Sequence, residues 1–286
     1  MRVVLTLLLL VFPAVARAQW ILEPRTIVPG GVALVRWTGA PPAVASVSAQ
    51  GESVYLTSGP GGSWTLVGVD IESPAALLPV QAVAVDERGT STFAWLPLTI
   101  QQPPASDLPP EELTLPAQMV TPKGPALLKR IREERRLLGK VYAGRQPPPA
   151  WEGFAYPLSD VRPGTPFGRR RLLNGKTGSV HTGLDLRAAA GSPVLAGAAG
   201  RVVLAQDLYY TGQTVVLDHG DGFFSLYAHL RQIDCRPGAF LHLGDRIGEV
   251  GSTGRSTGPH LHWSLQLRGA RVDPQALLAL FDGEKR

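Results

Sequence analysis

All histidines of this chain lie in its second half, and two pairs of them have a spacing that could bind a metal. His181 and Asp185 are four residues apart, and in an extended strand residues i, i+2 and i+4 lie on one face. The same alternation places His260 and His262 on one face of a second strand. Two strands thus offer three imidazoles and a carboxylate, enough for a catalytic zinc site with three protein ligands. The six histidines are at positions 181, 219, 229, 242, 260 and 262.

Spacing alone leaves two questions open. It does not decide between a metal site and polar residues on strand surfaces, and either pair taken separately is more typical of a surface strand. Nor does it decide which of His260 and His262 would bind the metal. The single cysteine, Cys235, excludes a cysteine-rich zinc site and an internal disulfide. Without a neighbouring histidine motif, we do not expect it to be a nucleophile.

The other two histidines are explained by local structure. His219 stands in the segment DHGDG, whose composition is typical of a hairpin turn. His242 lies on an alternating segment that runs into another turn, which indicates a surface strand. Asn174–Gly175 is also a turn signal, with a substrate or regulatory contact as the less favoured interpretation. We therefore place neither histidine in the site.

The first part of the chain has a strand pattern but none of the candidate metal-binding residues. Residues 19–101 form short alternating segments separated by turn residues, which favours a β-sandwich. This region contains no histidine and no cysteine, and we expect no catalytic group in it. The strand pattern returns in residues 149–286, where we expect the second domain.

Residues 102–148 form the predicted linker. Prolines from Pro103 to Pro116 indicate an extended segment, and Pro125 suits the first turn of a helix. The helix has an apolar stripe, and its opposite face is basic, for which a solvated surface is favoured over a membrane or polyanion contact. So long a linker raises two hypotheses: the N-terminal domain restrains the site, or the linker is a passive spacer.

Length, composition and the first residues limit the class of protein. The chain has 286 residues, enough for about two domains that could each fold alone. Its 32 glycines, 26 prolines and 18% charged residues indicate a turn-rich fold that is mainly β. The net charge of +5 is spread along the chain, so we expect no nucleic-acid partner.

The N-terminus has the pattern of an export signal. An apolar run from Val3 to Val15 precedes Ala16-Arg17-Ala18, which has the form that signal peptidase cleaves. We interpret residues 1–18 as a signal peptide and Gln19 as the mature N-terminus. A membrane anchor is disfavoured, because the run is shorter than the ~20 apolar residues that span a bilayer. We therefore expect an exported protein without a transmembrane anchor, in the periplasm or the extracellular cell wall.

Three separated segments give a more specific signal. HTGLDLRAAAGSPVLA at 181–196, LDHGDGFFSLYAHL at 217–230 and GSTGRSTGPHLHW at 251–263 closely resemble the LytM/lysostaphin-type peptidoglycan endopeptidases, metallopeptidase family M23. The resemblance covers about residues 156–274, including the segment PFGRRRLLNG at 166–175. A weaker resemblance links the N-terminal domain, through Gly68–Ile71, to the β-sandwich that precedes some members.

The resemblance implies a fold, a site and a reaction. It implies a C-terminal antiparallel β-sheet metallopeptidase domain, with His181, Asp185 and His262 as ligands of Zn²⁺ and with His229 and His260 as non-ligand catalytic residues. The metal would lower the pKa of a bound water toward ~7 and so supply a nucleophile. No HExxH helix supplies a glutamate base, so proton transfer falls to the imidazoles. The implied substrate is the peptide of peptidoglycan, and no protein partner is indicated.

Two other functions compete with this hypothesis. Some relatives carry the domain without a working metal site and act as wall-binding factors or amidase regulators, but here all five positions are present. A lipoyl or biotinyl carrier domain has a similar strand-turn pattern, although it needs a lysine at a hairpin tip. The only lysines of the second domain, Lys176 and Lys285, do not lie between tight strands, so we attribute that likeness to barrel geometry.

Overall fold

The computed structural model describes residues 19–59, 62–103 and 109–282. As expected from the sequence, the protein is mainly β, with twenty-two strands and three helices in these ranges. The predicted signal peptide, residues 1–18, lies outside the described residues. Within them, no helix combines the length and the apolar character needed to cross a membrane.

The N-terminal domain has two sheets. Its strands are β1 (Trp20–Glu23), β2 (Thr26–Ile27), β3 (Val32–Trp37), β4 (Val44–Ala49), β5 (Glu52–Tyr55), β6 (Thr57–Gly59), β7 (Gly62–Gly68), β8 (Ala76–Val85) and β9 (Ser91–Ile100). One sheet has the order β1-β3-β7-β6, and the other has the order β2-β9-β8-β4-β5. Buried apolar side chains of both sheets, such as Trp37 and Val80, form one core between them, the arrangement that a sandwich requires.

Between the domains, the chain forms three short or isolated elements, which are β10 (Glu111–Leu113), α1 (Ala117–Val120) and α2 (Pro125–Tyr142). Pro125 is in the first turn of α2, as predicted, because its missing N–H has no intrahelical acceptor there. The helix ends at Tyr142, shortly before Gly144 and the prolines that follow. The linker is thus partly regular structure.

The C-terminal domain is built on one large antiparallel sheet. Its elements are β11 (Arg162–Pro163), β12 (Arg170–Leu173), β13 (Lys176–Val180), β14 (Leu184–Arg187), β15 (Pro193–Leu195), β16 (Gly200–Leu208), β17 (Gly212–Asp218), β18 (Phe223–Ile233), β19 (Phe240–Leu241), β20 (Arg246–Val250), β21 (His260–Leu267), β22 (Ala270–Val272) and α3 (Pro274–Asp282). The sheet has the order β11-β14-β21-β18-β17-β16-β19, with β15, β20 and β22 paired at its sides.

The central strand β18 is buried on both faces, which matches its nearly continuous apolar sequence. Phe223 and Tyr227 belong to the main core of the domain, whereas Phe224 and Leu226 belong to a second core on the opposite face. Helix α2 covers that second face. The apolar stripe predicted for the helix consists of Leu127, Leu128, Ile131, Leu138 and Tyr142. Of these, Leu138 and Tyr142 pack on this core, together with Leu137 and Val141, whereas Leu128 is exposed.

Strands of the N-terminal domain also contribute to the main core of the C-terminal domain. In β3, Ala33 and Val35 belong to the core between the two N-terminal sheets, but Val32 and Leu34 pack in the C-terminal core. Successive side chains of a strand point to opposite faces, so one strand can serve two cores. The two domains thus share one apolar interface, and the expectation that each could fold alone stays a prediction.

Aromatic and charged contacts complete this interface. The ring of Trp151 lies 4.9 Å from that of Trp64 and 4.6 Å from that of Phe281. At another point, Arg271 donates to both carboxylate oxygens of Asp70, with Nε–Oδ2 at 2.9 Å and Nη2–Oδ1 at 2.6 Å. A bidentate pair of this kind fixes orientation as well as distance. The N-terminal domain is therefore held in a defined position.

The linker strand β10 attaches to the hairpin of β12 and β13. It pairs with β12 in parallel, with Glu111 opposite Arg171, to form a three-stranded sheet. Asn174 and Gly175 both have positive φ, 51° and 72°, and form the turn predicted for them. The amide of Asn174 also accepts a bond from the N–H of Leu115 and donates one to its carbonyl, both at 2.8 Å.

Candidate metal centre and its groove

Three side chains meet where β14 and β21 lie side by side. The register places Asp185 directly opposite His262, so both side chains project from the same face of the sheet. His181 reaches the same point from just before β14. His181 Nε2, Asp185 Oδ1 and His262 Nδ1 are mutually close, at 3.0 Å, 3.0 Å and 2.9 Å.

These three atoms fit a zinc ion. Metal–ligand distances of about 2.0–2.2 Å in a tetrahedral site place the ligand atoms roughly 3.3 Å apart, close to the observed spacing. His181 Nδ1 donates to the carbonyl of Pro166 at 2.9 Å, which fixes the tautomer and leaves Nε2 free to bind a metal. The burial of His262 lowers its pKa and so favours the neutral ring that a metal requires.

The carboxylate oxygen of Asp185 that points away from the two imidazoles, Oδ2, is bound by an arginine. Arg171 donates to Asp185 Oδ2 at 2.7 Å and to Glu111 Oε2 at 2.8 Å, and Thr165 donates to the other oxygen of Glu111. Burial alone would raise the pKa of Asp185, but the adjacent imidazoles of His181 and His262 outweigh it and lower the pKa. The carboxylate therefore stays ionised and oriented with Oδ1 toward the two imidazoles.

Gly183 allows the two strands to approach at this point. A Cβ at this position would lie 2.5 Å from His262 Cε1 and 2.9 Å from the carbonyl oxygen of Trp263. The glycine between His181 and Asp185 is thus required by the space that the ring of His262 occupies.

His229 lies next to these residues at a bulge of β18. Two residues of β18, Ala228 and His229, face one residue of β17, and His229 has a positive φ of 62°. A bulge redirects the side chain of the extra residue, here toward the ring of His260 at 4.8 Å and that of His262 at 5.9 Å. The backbone thus turns His229 toward the candidate site.

One loop orients both His229 and His260. His229 Nδ1 donates to the carbonyl of Thr253, and His260 Nδ1 donates to that of Gly258, each at 2.8 Å. Both Nε2 atoms are therefore unprotonated when the rings are neutral. Burial and the neighbouring His262 and His260 lower the pKa of His229 to about 3, so its ring is neutral at pH 7. His260 Nε2 lies 3.7 Å from Asp185 Oδ1.

The histidines and the cysteine left out of the site lie elsewhere. His219 is at the predicted turn, but its ring is buried, with Nδ1 donating to the carbonyl of Ala199 at 2.7 Å. His242 is exposed and pairs with Glu152, which raises the pKa of His242. Burial raises the pKa of the Cys235 thiol to about 11, so it is protonated at neutral pH and unsuited to nucleophilic attack.

A groove of about 770 Å³ opens over these side chains and is lined by Asp185, His229 and His260. Its walls come from the segment 158–165, the end of β14 and the loop 255–260. The linker contributes a further wall through β10 and Leu115. An extended peptide could lie along such a groove with one amide beside the histidines.

Sequence reasoning did not find Arg171 and Glu111, which hold Asp185. Arg171 is one of three consecutive arginines, and nothing in the local pattern separates it from Arg169 and Arg170. Glu111 lies in the segment interpreted as an extended linker. Only the pairing of β10 with β12 brings the two side chains together.

Comparisons with known proteins identify the family that the C-terminal domain resembles. Residues 179–274 match the model described as Peptidase family M23. The DD-carboxypeptidase/endopeptidase Mpg of Neisseria meningitidis serogroup B is 41% identical over 118 residues, which make up 41% of this chain and 27% of that protein. The peptidoglycan DD-endopeptidase ShyA of Vibrio cholerae is 39% identical over 120 residues, with 41% and 28% covered. The chain thus matches little more than a quarter of each relative's length.

A crystal structure from Pseudomonas aeruginosa, described as a peptidase M23, extends the likeness beyond the C-terminal domain. It is 29% identical to this chain, with a TM-score of 0.65, and the match covers 88% of this chain and 94% of that one. So wide a match includes both domains and the linker between them.

Proposed function

Because residues 179–274 form a domain of peptidase family M23, we propose that this protein is an exported zinc metalloendopeptidase that hydrolyses peptide cross-links of cell-wall peptidoglycan. The observation that carries the proposal is the convergence of His181, Asp185 and His262 on one point beside two further histidines. The activities of two relatives, a DD-carboxypeptidase/endopeptidase and a peptidoglycan DD-endopeptidase, support the substrate class.

The metal would be held by His181 Nε2, Asp185 Oδ1 and His262 Nδ1. Zinc bound by three protein groups supplies Lewis-acid polarisation and a nucleophilic water at neutral pH. The donor set fits zinc, because two imidazoles and one carboxylate are typical of catalytic zinc sites. The hydrogen bond of His181 to the carbonyl of Pro166 supplies the outer-shell partner that such ligands need.

His229 and His260 handle protons. Each ring is anchored through Nδ1, so Nε2 is the atom that accepts a proton from the attacking water. The same atoms can return that proton to the leaving amine, which needs it for departure. Burial lowers the pKa of His229, so its ring is neutral at pH 7 and Nε2 carries no proton before the reaction.

The location follows from the substrate. Peptidoglycan lies outside the cytoplasmic membrane, and the signal peptide predicted at residues 1–18 would direct the protein there. The alternative function, a wall-binding or amidase-regulating factor without catalysis, needs no metal and no proton carrier. Detection of hydrolysis therefore distinguishes the two functions, whereas binding to the wall does not.

The test is digestion of purified wall sacculi with the zinc-loaded chain from Gln19 to Arg286. We expect new amine termini at peptide cross-links, detected by mass analysis of the released muropeptides. Binding to sacculi without such termini would contradict catalysis and support the alternative.

A pair of variants tests the metal ligands in the same assay. His262→Ala should lose stoichiometric zinc by metal analysis and lose hydrolysis. His242→Ala removes an exposed histidine remote from the site and should keep both, which makes it a matched control. Retention of one zinc equivalent by folded His262→Ala would show that the ligand assignment is wrong.

A further inference from the structure

The groove has an excess of positive charge at one place. Four arginines line it, namely Arg162, Arg171, Arg187 and Arg255. Arg162 is paired with Asp160 at 2.9 Å, and Arg171 is paired with Glu111 and Asp185. In the described part of the chain, no acidic group pairs with either Arg187 or Arg255.

Arg255 is partly buried without a counter-ion. Its backbone N–H donates to the carbonyl of Tyr210 at 2.7 Å, and its guanidinium carbon lies 4.7 Å from the centroid of the Tyr210 ring. The Tyr210 ring holds the cation by a cation–π contact, and among the described residues no acceptor is bound to the N–H groups of this guanidinium, which lines the groove. Burial lowers the pKa of Arg255, the mark of a desolvated charge that a bound anion would stabilise.

Arg187 is the exposed cross-strand neighbour of His260. It is directly opposite His260 in the pairing of β14 with β21 and on the same face of the sheet as Asp185. Side chains so placed have Cβ atoms about 5 Å apart. Arg255 belongs to the loop that orients His260 through the carbonyl of Gly258. The two unpaired arginines thus line the same groove as this proposed catalytic histidine.

We propose that Arg187 and Arg255 form a carboxylate-binding subsite, which selects peptides with a free carboxylate on a residue adjacent to the scissile amide. This inference rests on the proposed function, since it names the substrate that the groove prefers. A planar guanidinium matches a carboxylate through two parallel N–H···O bonds, which give both affinity and orientation. A cross-link of glycine residues alone carries no such group, so the subsite discriminates between classes of cross-link.

The test compares two synthetic cross-linked peptides that differ only at this group. One carries the free carboxylate beside the scissile amide, and the other carries a carboxamide. We expect kcat/KM for the carboxylate peptide to be at least about 10-fold higher with the zinc-loaded chain, as charge-assisted hydrogen bonds predict. Arg255→Gln and Arg187→Gln should each reduce that ratio, and the double variant should abolish it.

Controls separate recognition from structure. Arg162→Gln removes a groove arginine that is already paired with Asp160, and it should keep the full preference. Arg255→Lys keeps the positive charge but loses the planar guanidinium that can donate two parallel hydrogen bonds. This variant should retain part of the preference for the carboxylate peptide. Equal rates for the two peptides with the wild-type chain would overturn the proposal. So would an Arg255→Gln variant that slows both peptides by the same factor.

A binding measurement makes the test independent of catalysis. The Kd values of both peptides are measured by calorimetry with zinc-loaded His229→Ala, which should not hydrolyse them. We expect the carboxylate peptide to bind more tightly than the carboxamide peptide. If neither peptide is hydrolysed by the wild-type chain, the proposed function fails. The binding ratio still decides the subsite, because equal Kd values would overturn it.

Discussion

The backbone of His229 is in a conformation that side chains rarely adopt. Its φ of 62° lies in the left-handed region, which costs a residue other than glycine about 1–2 kcal/mol. The N–H of His229 is still satisfied, by the carbonyl of Thr211 at 2.8 Å. The bulge stores strain at the point where it aims an imidazole into the groove, a combination typical of functional sites.

A pair of substitutions at this position separates strain from chemistry. His229→Ala and His229→Gly should both retain zinc and lose most turnover, because the proposed proton carrier is gone. His229→Gly should nevertheless be the more stable of the two, by about 1 kcal/mol, since glycine accepts a positive φ without strain. Denaturant unfolding and hydrolysis of a cross-linked muropeptide measure the two effects. Near-wild-type turnover in either variant would show that His229 is not catalytic.

The buried ring of His219 makes stability depend on pH. Burial lowers its pKa to about 4, below the ~6.5 of an unfolded chain. As pH falls from about 6.5 to 4, the unfolded state therefore binds a proton that the folded state does not. The stability conferred by the neutral ring is present above pH 6.5 and is lost across this window, by up to about 3 kcal/mol.

The corresponding prediction concerns His219→Gln. The variant should show a shallower fall in unfolding free energy between pH 6.5 and 4 than the wild-type chain, measured by denaturant titration at several pH values. His242→Gln serves as control, since that exposed ring has its pKa raised by Glu152 and titrates in the opposite sense. Parallel curves for wild type and His219→Gln would contradict the assignment.

Among the elements, β10 has the least expected role. It lies in the linker, yet it extends the hairpin of β12 and β13 and carries Glu111 to the arginine that holds Asp185. The side chain of Asn174 makes two hydrogen bonds to the backbone of Leu115, which lies just after β10. A segment predicted to be an extended connection is thus part of the wall of the site.

Asn174→Gly tests this attachment. Glycine accepts the positive φ of the turn, so the hairpin should persist while both side-chain bonds to Leu115 are lost. We expect a loss of about 1–2 kcal/mol and faster hydrogen exchange at the amide of Leu115. Lys176→Ala, on the exposed start of β13, is the matched control and should leave that exchange unchanged. Equal exchange rates in Asn174→Gly and wild type would show that the amide does not hold β10.

At the scale of the whole molecule, the two domains and the linker are one packed unit. β3 and β7 bury side chains in both cores, and α2 covers the far face of the C-terminal sheet. The hypothesis that the N-terminal domain restrains the site stays a prediction. The packing adds a second expectation, because removal of residues 19–149 also removes β10 and exposes the core around Trp151.

Truncation distinguishes these expectations. Compared with the chain from Gln19, a chain from Ala150 to Arg286 should have a lower Tm and bind more of a dye specific for exposed apolar surface. With both chains loaded with zinc, the truncated chain should hydrolyse sacculi more slowly. A folded truncated form that works faster would support restraint by the N-terminal region. Equal activity and equal Tm would show that neither the interface nor β10 supports the site.

The sequence by itself determined the local features of this protein. Alternation predicted the strands, a proline and an apolar stripe predicted α2, and three motifs identified the family and the five candidate site residues. Such features depend on residues close together in the chain, where backbone geometry fixes which side chains share a face. For the same reason, the sequence left open whether His260 or His262 binds the metal until a resemblance was invoked.

Only the tertiary structure decided how distant segments meet. The bulge that turns His229, the brace from Glu111 through Arg171 to Asp185, and the unpaired charge of Arg255 depend on strand register and packing between residues far apart in sequence. A shift of one residue in any of these pairings would point the side chains to the opposite face. Register is set by burial of the whole apolar surface, which no short segment of sequence records.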